Sequence, residues 1–377
     1  MQTKILKTIT QTILLSVIAV LPFVFTASLY FPYVSGKTYL FRILVALALF
    51  FWTWLVLRDK SYLPNFKNIL VIALILFFAV QVLAGIFGVE PRYSFFGSIE
   101  RGEGVFQYGF WLLFFLMFVS VFKTERDWKL FFSVFIITAF LTSVFAWLTL
   151  TSVFAWLTRV LPENISIVKN NPNLLGYQEQ LIAVFGNPAY FAAFLLFDVG
   201  FCFLVIERRF FKPRIINSLL LLLAGFFTLT LIFTQIRGAY VALAAGVFLF
   251  CFLVILFLRR KSKKLAILSA AVLLIGIISI GSLFALKETE FVKSRHVLKR
   301  TTEVADFWQS DSIRERLLNW SIALKAFKEK PVFGYGPENY GAASNRYYDY
   351  RVGRNEPWFD RAHNQAMDTL ATGGIVV

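Results

Sequence analysis

Cysteine and histidine each occur only twice in the 377 residues. Cys202 and Cys251 both fall inside apolar runs, so no disulfide framework is implied for any polar loop. Two histidines make no Cys or His cluster at zinc-ligand spacing, and there is no Walker loop and no dinucleotide-binding glycine pattern at a strand-to-helix turn. A Gly-x-Ser-x-Gly elbow is also missing. Charge is sparse, with Asp, Glu, Lys and Arg together at 16% and only 22 acidic residues among them. What fills the space is apolar: 58% of the chain, including 45 phenylalanines, with a strongly positive mean hydropathy. That composition lies outside the soluble globular range.

The apolar residues gather into runs at 10–31, 38–57, 69–87, 108–122, 130–150, 188–206, 218–234, 238–258 and 265–286. Most are close to the roughly 20 residues that a helix needs to cross a bilayer. The fold class expected is an all-α polytopic membrane protein, a transmembrane helix bundle with a long external loop containing amphipathic helices. Residues 1–286 form a nine-helix membrane region, 287–362 the loop, and 363–377 the start of a tenth helix. The chain stops at "GGIVV", a few residues into that last run, so further helices are expected beyond it. The first run follows Lys4 and Lys7 but is too long for a signal core and lacks a small-residue cleavage site; it reads as a retained span.

Short-loop charge sets the orientation. With the N-terminus cytoplasmic, the N-terminal tail, "RDKSYLPNFKN", "KTERDWK", "ERRFFKPR" and "RRKSKK" fall inside and carry 17 Lys and Arg. The short external loops carry only Lys37, Arg92, Arg101, Arg159, Lys169 and Arg237. Much of the net charge of +16 is therefore a cytoplasmic collar and calls for no nucleic-acid partner. The loop 287–362 has 14 basic and 11 acidic residues, a positive balance that the rule does not demand and that suits an anionic ligand.

One repeat is present: "LTSVFAWLT" runs over 141–149 and again over 150–158. It lengthens the apolar run from 130 to 158 to about 43 Å, beyond the roughly 30 Å hydrocarbon core. The end of that helix is expected to lie along the outer interface, where Trp147 and Trp156 suit headgroup level. Within the long loop, "SIRERLLNWSIALKAFKEKP" has Ile313, Leu317, Trp320, Leu324 and Phe327 at alternating spacings of four and three, an amphipathic stripe facing the bilayer or the bundle. Ser312 is placed to cap it, with Glu315 three residues on, and Pro331 ends it before "FGYGPENY".

The polar residues suited to chemistry are few. Arg237 in "FTQIRGAY" sits in a tight turn between two apolar runs. There it serves either as an interfacial anchor or as a fixed cation at the depth of a lipid pyrophosphate. Arg316 begins an Arg-x-x-x-Trp pattern with Trp320, one helical turn apart, and Arg101 lies in "GSIERGEG". His363 in "FDRAHNQAMDTLATGG" sits at a membrane boundary and is able to act as a base near neutral pH. By itself its position equally suits a helix cap. His296, in the basic "VKSRHVLKR", reads as an exposed loop residue. The external loops contain no close acidic pair of the Asp-x-Asp kind that often holds a divalent metal.

The order of these segments carries more than any one of them. "RYSFFGSIERGEGVFQYGF", then "FGNPAYFAAFLLF", "FTQIRGAYVALAAG", "RLLNWSIALKAFKEKPVFGYGPENY" and "AHNQAMDTLATGG" resembles the O-antigen ligase superfamily of bacterial envelope glycosyltransferases. The resemblance extends from about Arg92 onward. It implies a multi-pass inner-membrane enzyme, cytoplasmic at its N-terminus, with its active site facing outside. Such an enzyme moves a glycan from an undecaprenyl-pyrophosphate carrier to an acceptor hydroxyl of lipid A core, another glycan or a protein, without metal or other cofactor. Carried over by position, Arg237, Arg316 and Arg101 engage the donor pyrophosphate and His363 assists the attacking hydroxyl. Trp320, Asn187, Asn364 and Asp368 then support the site. Two positions depart from the family pattern, Ala189 after Gly-Asn-Pro and Ile236 before the arginine. A ligase, a polymerase of lipid-linked repeat units and a protein O-oligosaccharyltransferase all fit. A non-enzymatic transporter of lipid-linked sugars would instead place ionisable residues at mid-membrane; nearly all charges here sit in loops, with Arg42 an exception in the second run.

Overall fold

The computed structural model of the protein describes residues 2–150, 180–258, 262–302, 311–352 and 358–377. Among them there are helices and turns and no strand. In chain order α1 is Gln2–Val20, α2 Ser35–Arg58, α3 Ile69–Phe87, α4 Pro91–Phe96 and α5 Val105–Val121. Next come α6 Glu125–Leu150, α7 Pro188–Glu207, α8 Arg214–Phe233, α9 Arg237–Leu253, which continues as a π turn over Val254–Leu258, and α10 Lys263–Ala285. The rest are α11 Glu290–Lys293, α12 His296–Thr302, α13 Asp311–Glu329, α14 Tyr340–Arg346 and α15 Gln365–Gly373. Eight described helices are long and apolar enough to cross a membrane, and α5 is a shorter apolar one. The chain is an all-α, multi-pass membrane protein.

The first helix departs from the run 10–31. It begins at Gln2 and gives way at Leu21–Phe23 to a 3-10 turn. Pro22 explains the end, since a helix through it would lose a hydrogen bond and clash with the preceding turn. The early start is supported by Asp127, which accepts from Lys7 at 3.0 Å and from Gln11 at 2.9 Å.

Packing divides the chain into two units, Met1–Val134 with Trp308–Val377, and Phe135–Phe307. These packing units are drawn on other grounds than the membrane and loop boundaries expected at 286 and 362. In the first unit, one core gathers Leu14, Val45, Ala48, Leu55, Met117 and Val121 from α1, α2 and α5. A second gathers Ile322, Ala323 and Ala326 of α13 against Tyr340, Phe359, Ala362 and Ala371. The buried residues of α13 are Ile313, Asn319, Ile322, Ala323 and Ala326; of the expected stripe Ile313 is buried, while from Asn319 onward the buried face lies one step round the helix. Small side chains allow α14 and α15 to approach closely. The larger Leu317 and Leu324 stay exposed, at 48% and 42%. The helix already includes Ser312, whose side chain lies outside the described residues.

Where the sequence suggests a spanning helix from His363, the structure closes α15 at Gly373, nine residues long and too short to cross a bilayer. Gly374 (φ 69°) turns the chain away. The amides of Tyr335 and Gly336 then donate to Ala371 and Thr372 at 2.9 and 2.8 Å, and that of Ile375 to Pro331 at 2.9 Å.

In the second unit α7 and α8 form an antiparallel pair with Phe191, Leu195, Phe227 and Leu231 fully buried. The Trp147 indole donates to Thr230 at 3.0 Å and its ring lies 4.7 Å from that of Phe233, so Trp147 packs on α8. The second copy of the nine-residue repeat and Trp156 lie outside the described residues. Asp198, in the middle of α7, is fully buried and neither carboxylate oxygen has a hydrogen-bond partner. It joins Arg42 as an ionisable residue within a span.

Candidate functional site

Unusual backbone marks the segments singled out by sequence. Five described non-glycine residues have positive φ, namely Ala183, Arg209, Gln235, Glu338 and His363. All except Arg209 lie within a few residues of "GNP", "QIR", "PEN" or "AHN". Such conformations cost roughly 1–3 kcal/mol each and persist only where surrounding contacts impose them.

In the second unit Asn187 is the N-cap of α7, its side-chain oxygen accepting from the Ala189 amide at 2.8 Å. Pro188 follows at the first helical position, where its missing N–H costs nothing. Asn187 thus has a structural task that accounts for "GNP". Arg237 is the first residue of α9, after the three-residue turn of Thr234, Gln235 and Ile236. Thr234 and Gln235 are buried, and Gln235 has φ 57°. A cation there opposes the helix dipole, whereas an anion at the same helix end would be stabilised by it.

In the first unit, three loops meet around one guanidinium. The loop 97–104 is tied to α2, where Ser35 donates to the Glu100 carbonyl, Tyr39 to that of Ile99 and Arg42 to that of Gly102. Arg42 also donates to Gln107 at 2.9 Å and lies 5.0 Å from the Phe106 ring, so its position within a span is met by these partners. The turn 334–339 is pressed onto the end of α3. The Val89 amide donates to Tyr335 at 2.8 Å, and the Asn339 side chain donates to Ser94 at 2.8 Å and to the Tyr335 carbonyl at 3.0 Å. The third loop holds His363.

Arg361 joins them, pairing with Glu338 at 2.6 Å, Glu103 at 2.7 Å and Asp368 at 3.5 Å. Burial pushes the Glu338 and Asp368 carboxyls above their ordinary range despite the pull of Arg361. Burial alone would lower Arg361; its carboxylates outweigh that and hold it above its usual value.

His363 follows two residues on. It is exposed, has φ 51°, and its ring meets Phe359 edge-on at 5.3 Å. Asn364, not His363, caps α15, accepting from Ala366 and Met367 at 3.0 and 3.3 Å, so capping does not explain the histidine. Asp368 accepts from the Ala362 amide at 2.9 Å as well as from Arg361. Trp320 is half-buried with its indole N–H enclosed and unpartnered. Arg316, one turn earlier, is exposed and forms no ion pair with the described residues. Arg101 is ion-paired to Asp360 and stacks over Phe31 at 5.0 Å. Among the described residues no group of three or more His, Cys, Asp and Glu is arranged to hold a metal ion.

The first unit thus contains Arg101, Arg316, Trp320, His363, Asn364 and Asp368, and the second contains Asn187 and Arg237. Sequence reasoning passed over Glu103, Asn319, Glu338, Asp360 and Arg361. Two of these adjoin the histidine, and the available signal was an Asp-Arg pair beside it in a chain so poor in charge.

A family model described as O-antigen ligase matches residues 219–377. No curated protein and no solved structure matches the chain.

Proposed function

Through residues 219–377 the chain belongs to the O-antigen ligase/polymerase superfamily, and from that premise we propose that this membrane glycosyltransferase moves a glycan from undecaprenyl pyrophosphate to an acceptor hydroxyl. The observation that carries the site assignment is the His363 turn, which holds an exposed imidazole at a left-handed backbone position while its own helix is capped by Asn364. His363 takes the proton from the acceptor hydroxyl. The acceptor oxygen bonds to the anomeric carbon, the bond from that carbon to the pyrophosphate oxygen breaks, and undecaprenyl pyrophosphate leaves with the electron pair. Attack opposite the leaving group inverts the anomeric centre.

Arg316, in the first unit, and Arg237, in the second, are each taken by themselves as a candidate cation for the growing charge on the pyrophosphate, a task that a divalent ion performs elsewhere, so the reaction proceeds without metal. Arg101 is left out of donor binding because Asp360 already occupies its guanidinium. The active site faces the outside of the inner membrane. The first acceptor to test is lipid A core.

The test is turnover by purified protein in lipid, given an undecaprenyl-pyrophosphate-linked glycan and each acceptor class in turn. Product on lipid A core identifies a ligase, product on glycan a polymerase, and product on protein an oligosaccharyltransferase; no product with any of them sinks the enzyme reading. Arg316→Gln and Arg237→Gln are expected to raise the donor KM by about 10- to 100-fold, the loss of one charge-assisted hydrogen bond. Undiminished donor affinity in both variants removes the pyrophosphate assignment.

One observation favours the transporter instead. Asp198 is a buried acid at the middle of a membrane-length helix, the kind of residue that marks transport paths. If Asp198→Asn stops movement of the lipid-linked sugar across vesicles while no acceptor is glycosylated, transport is the function.

A further inference from the structure

Two of the strained residues, Glu338 and His363, flank a single side chain. Arg361 reaches Glu338 directly and precedes His363 by two residues. Its backbone is fixed as well: the Asn319 side chain donates to the Arg361 carbonyl at 2.9 Å, and Asn319 is itself bonded by the Tyr340 hydroxyl, both residues being fully buried. Phe359 and Ala362 sit in the core beneath. Asp360 is held by Arg101, the Ala362 amide by Asp368, and Asn364 by its cap. Among the polar side chains from 359 to 364, that of His363 forms no hydrogen bond or ion pair with the described residues.

We propose that Arg361 is a positioning residue, which holds the His363 turn in its working orientation by pairing at once with Glu103, Glu338 and Asp368. The three carboxylates come from three separate segments, so one planar guanidinium locks the loop 97–104 and the turn 334–339 to the start of α15. A lysine has the charge but not the fork needed to span them. The carboxylates also keep Arg361 from being an anion ligand, because a pyrophosphate would have to displace an acid from a buried pair. The kinetic consequence rests on the transferase reading of His363; the structural one does not.

The two are separated by measuring both in the full-length protein. With His296→Gln, His363 becomes the sole histidine, and its rate of carbethoxylation by diethylpyrocarbonate, followed by mass spectrometry, reads the imidazole without turnover. Arg361→Gln and Glu338→Gln are each expected to change that rate several-fold, and the double variant to do no more than either alone, as coupled residues behave. In transfer assays the same variants lose about 10- to 100-fold in kcat through misplacement, with the donor KM unchanged, and Arg361→Lys recovers part of the loss. Glu103→Gln, which removes the most exposed of the three carboxylates, gives the same pattern more weakly and serves where Arg361→Gln fails to fold. Unchanged His363 reactivity in Arg361→Gln and Glu338→Gln, or additive effects in the double variant, overturns the proposal. Normal turnover in His363→Ala would overturn the transferase role alone and leave the reactivity result to decide the positioning role.

Discussion

Replacing His363 by asparagine is expected to reduce glycan transfer by about 10²- to 10⁴-fold, the range lost with a positioned general base, while expression and membrane insertion persist. Asparagine is the more informative substitution because it tolerates the left-handed backbone that His363 occupies; it removes the imidazole and leaves the turn. His363→Ala removes both and is expected to be at least as inactive. The side chain is exposed and contributes to the core only an edge-on contact with Phe359, so a loss of activity cannot be ascribed to unfolding. Asn364 and Asp368, which hold α15 and the preceding turn, are untouched. Wild-type turnover in His363→Asn with a matched acceptor would show that the acceptor proton leaves by another route.

The second large effect is expected at Gly336, where alanine should destabilise the first unit by about 2–5 kcal/mol, combining backbone strain with overpacking. Gly336 has φ 92°, and a Cβ there would stand 2.5 Å from the Ser94 hydroxyl and 2.9 Å from the Cα of Gly88. Neither neighbour can yield easily: Ser94 accepts from Asn339, and Gly88 ends α3 against the Tyr335 carbonyl. Against a typical total of 5–15 kcal/mol such a loss should appear as a clear fall in the thermal midpoint followed by tryptophan fluorescence. Gly276→Ala is the control. It lies inside α10, an added Cβ meets nothing within 4 Å, and it should be neutral or slightly stabilising. Equal midpoints for the two variants would mean that the turn 334–339 does not press on the end of α3. The same substitution should lower transfer, since that turn holds Glu338 against Arg361.

How far the sequence was readable depended on the range of the interaction involved. The run 69–87 coincides with α3, and 188–206 with α7 to within a residue, because length, hydropathy and a capping Asn lie side by side in the chain. Pro22 ends α1 inside the apolar run 10–31, a stop that hydropathy alone does not show. Large apolar residues define the stripe on α13 in the sequence; packing buries Ile313 of that stripe and adds Asn319, Ile322, Ala323 and Ala326, while Leu317 and Leu324 stay exposed. His363, Arg316 and Arg237 were found by residue type and order of motifs. Arg361 and Glu338 stood in quoted segments and were passed over, since nothing local distinguishes a paired charge from a solvated one.

Sequence alone determined that this is a helical membrane protein with a long polar loop and a histidine beside an α-helix start, because hydropathy, charge bias and capping act between near neighbours. Tertiary structure decided which cations are already satisfied. Arg101 meets Asp360 across 259 residues and Arg361 meets Glu103 across 258, while Arg316 has no ion pair among the described residues. Ion pairing depends on separations of a few ångströms between side chains, and only folding brings such distant residues within that range.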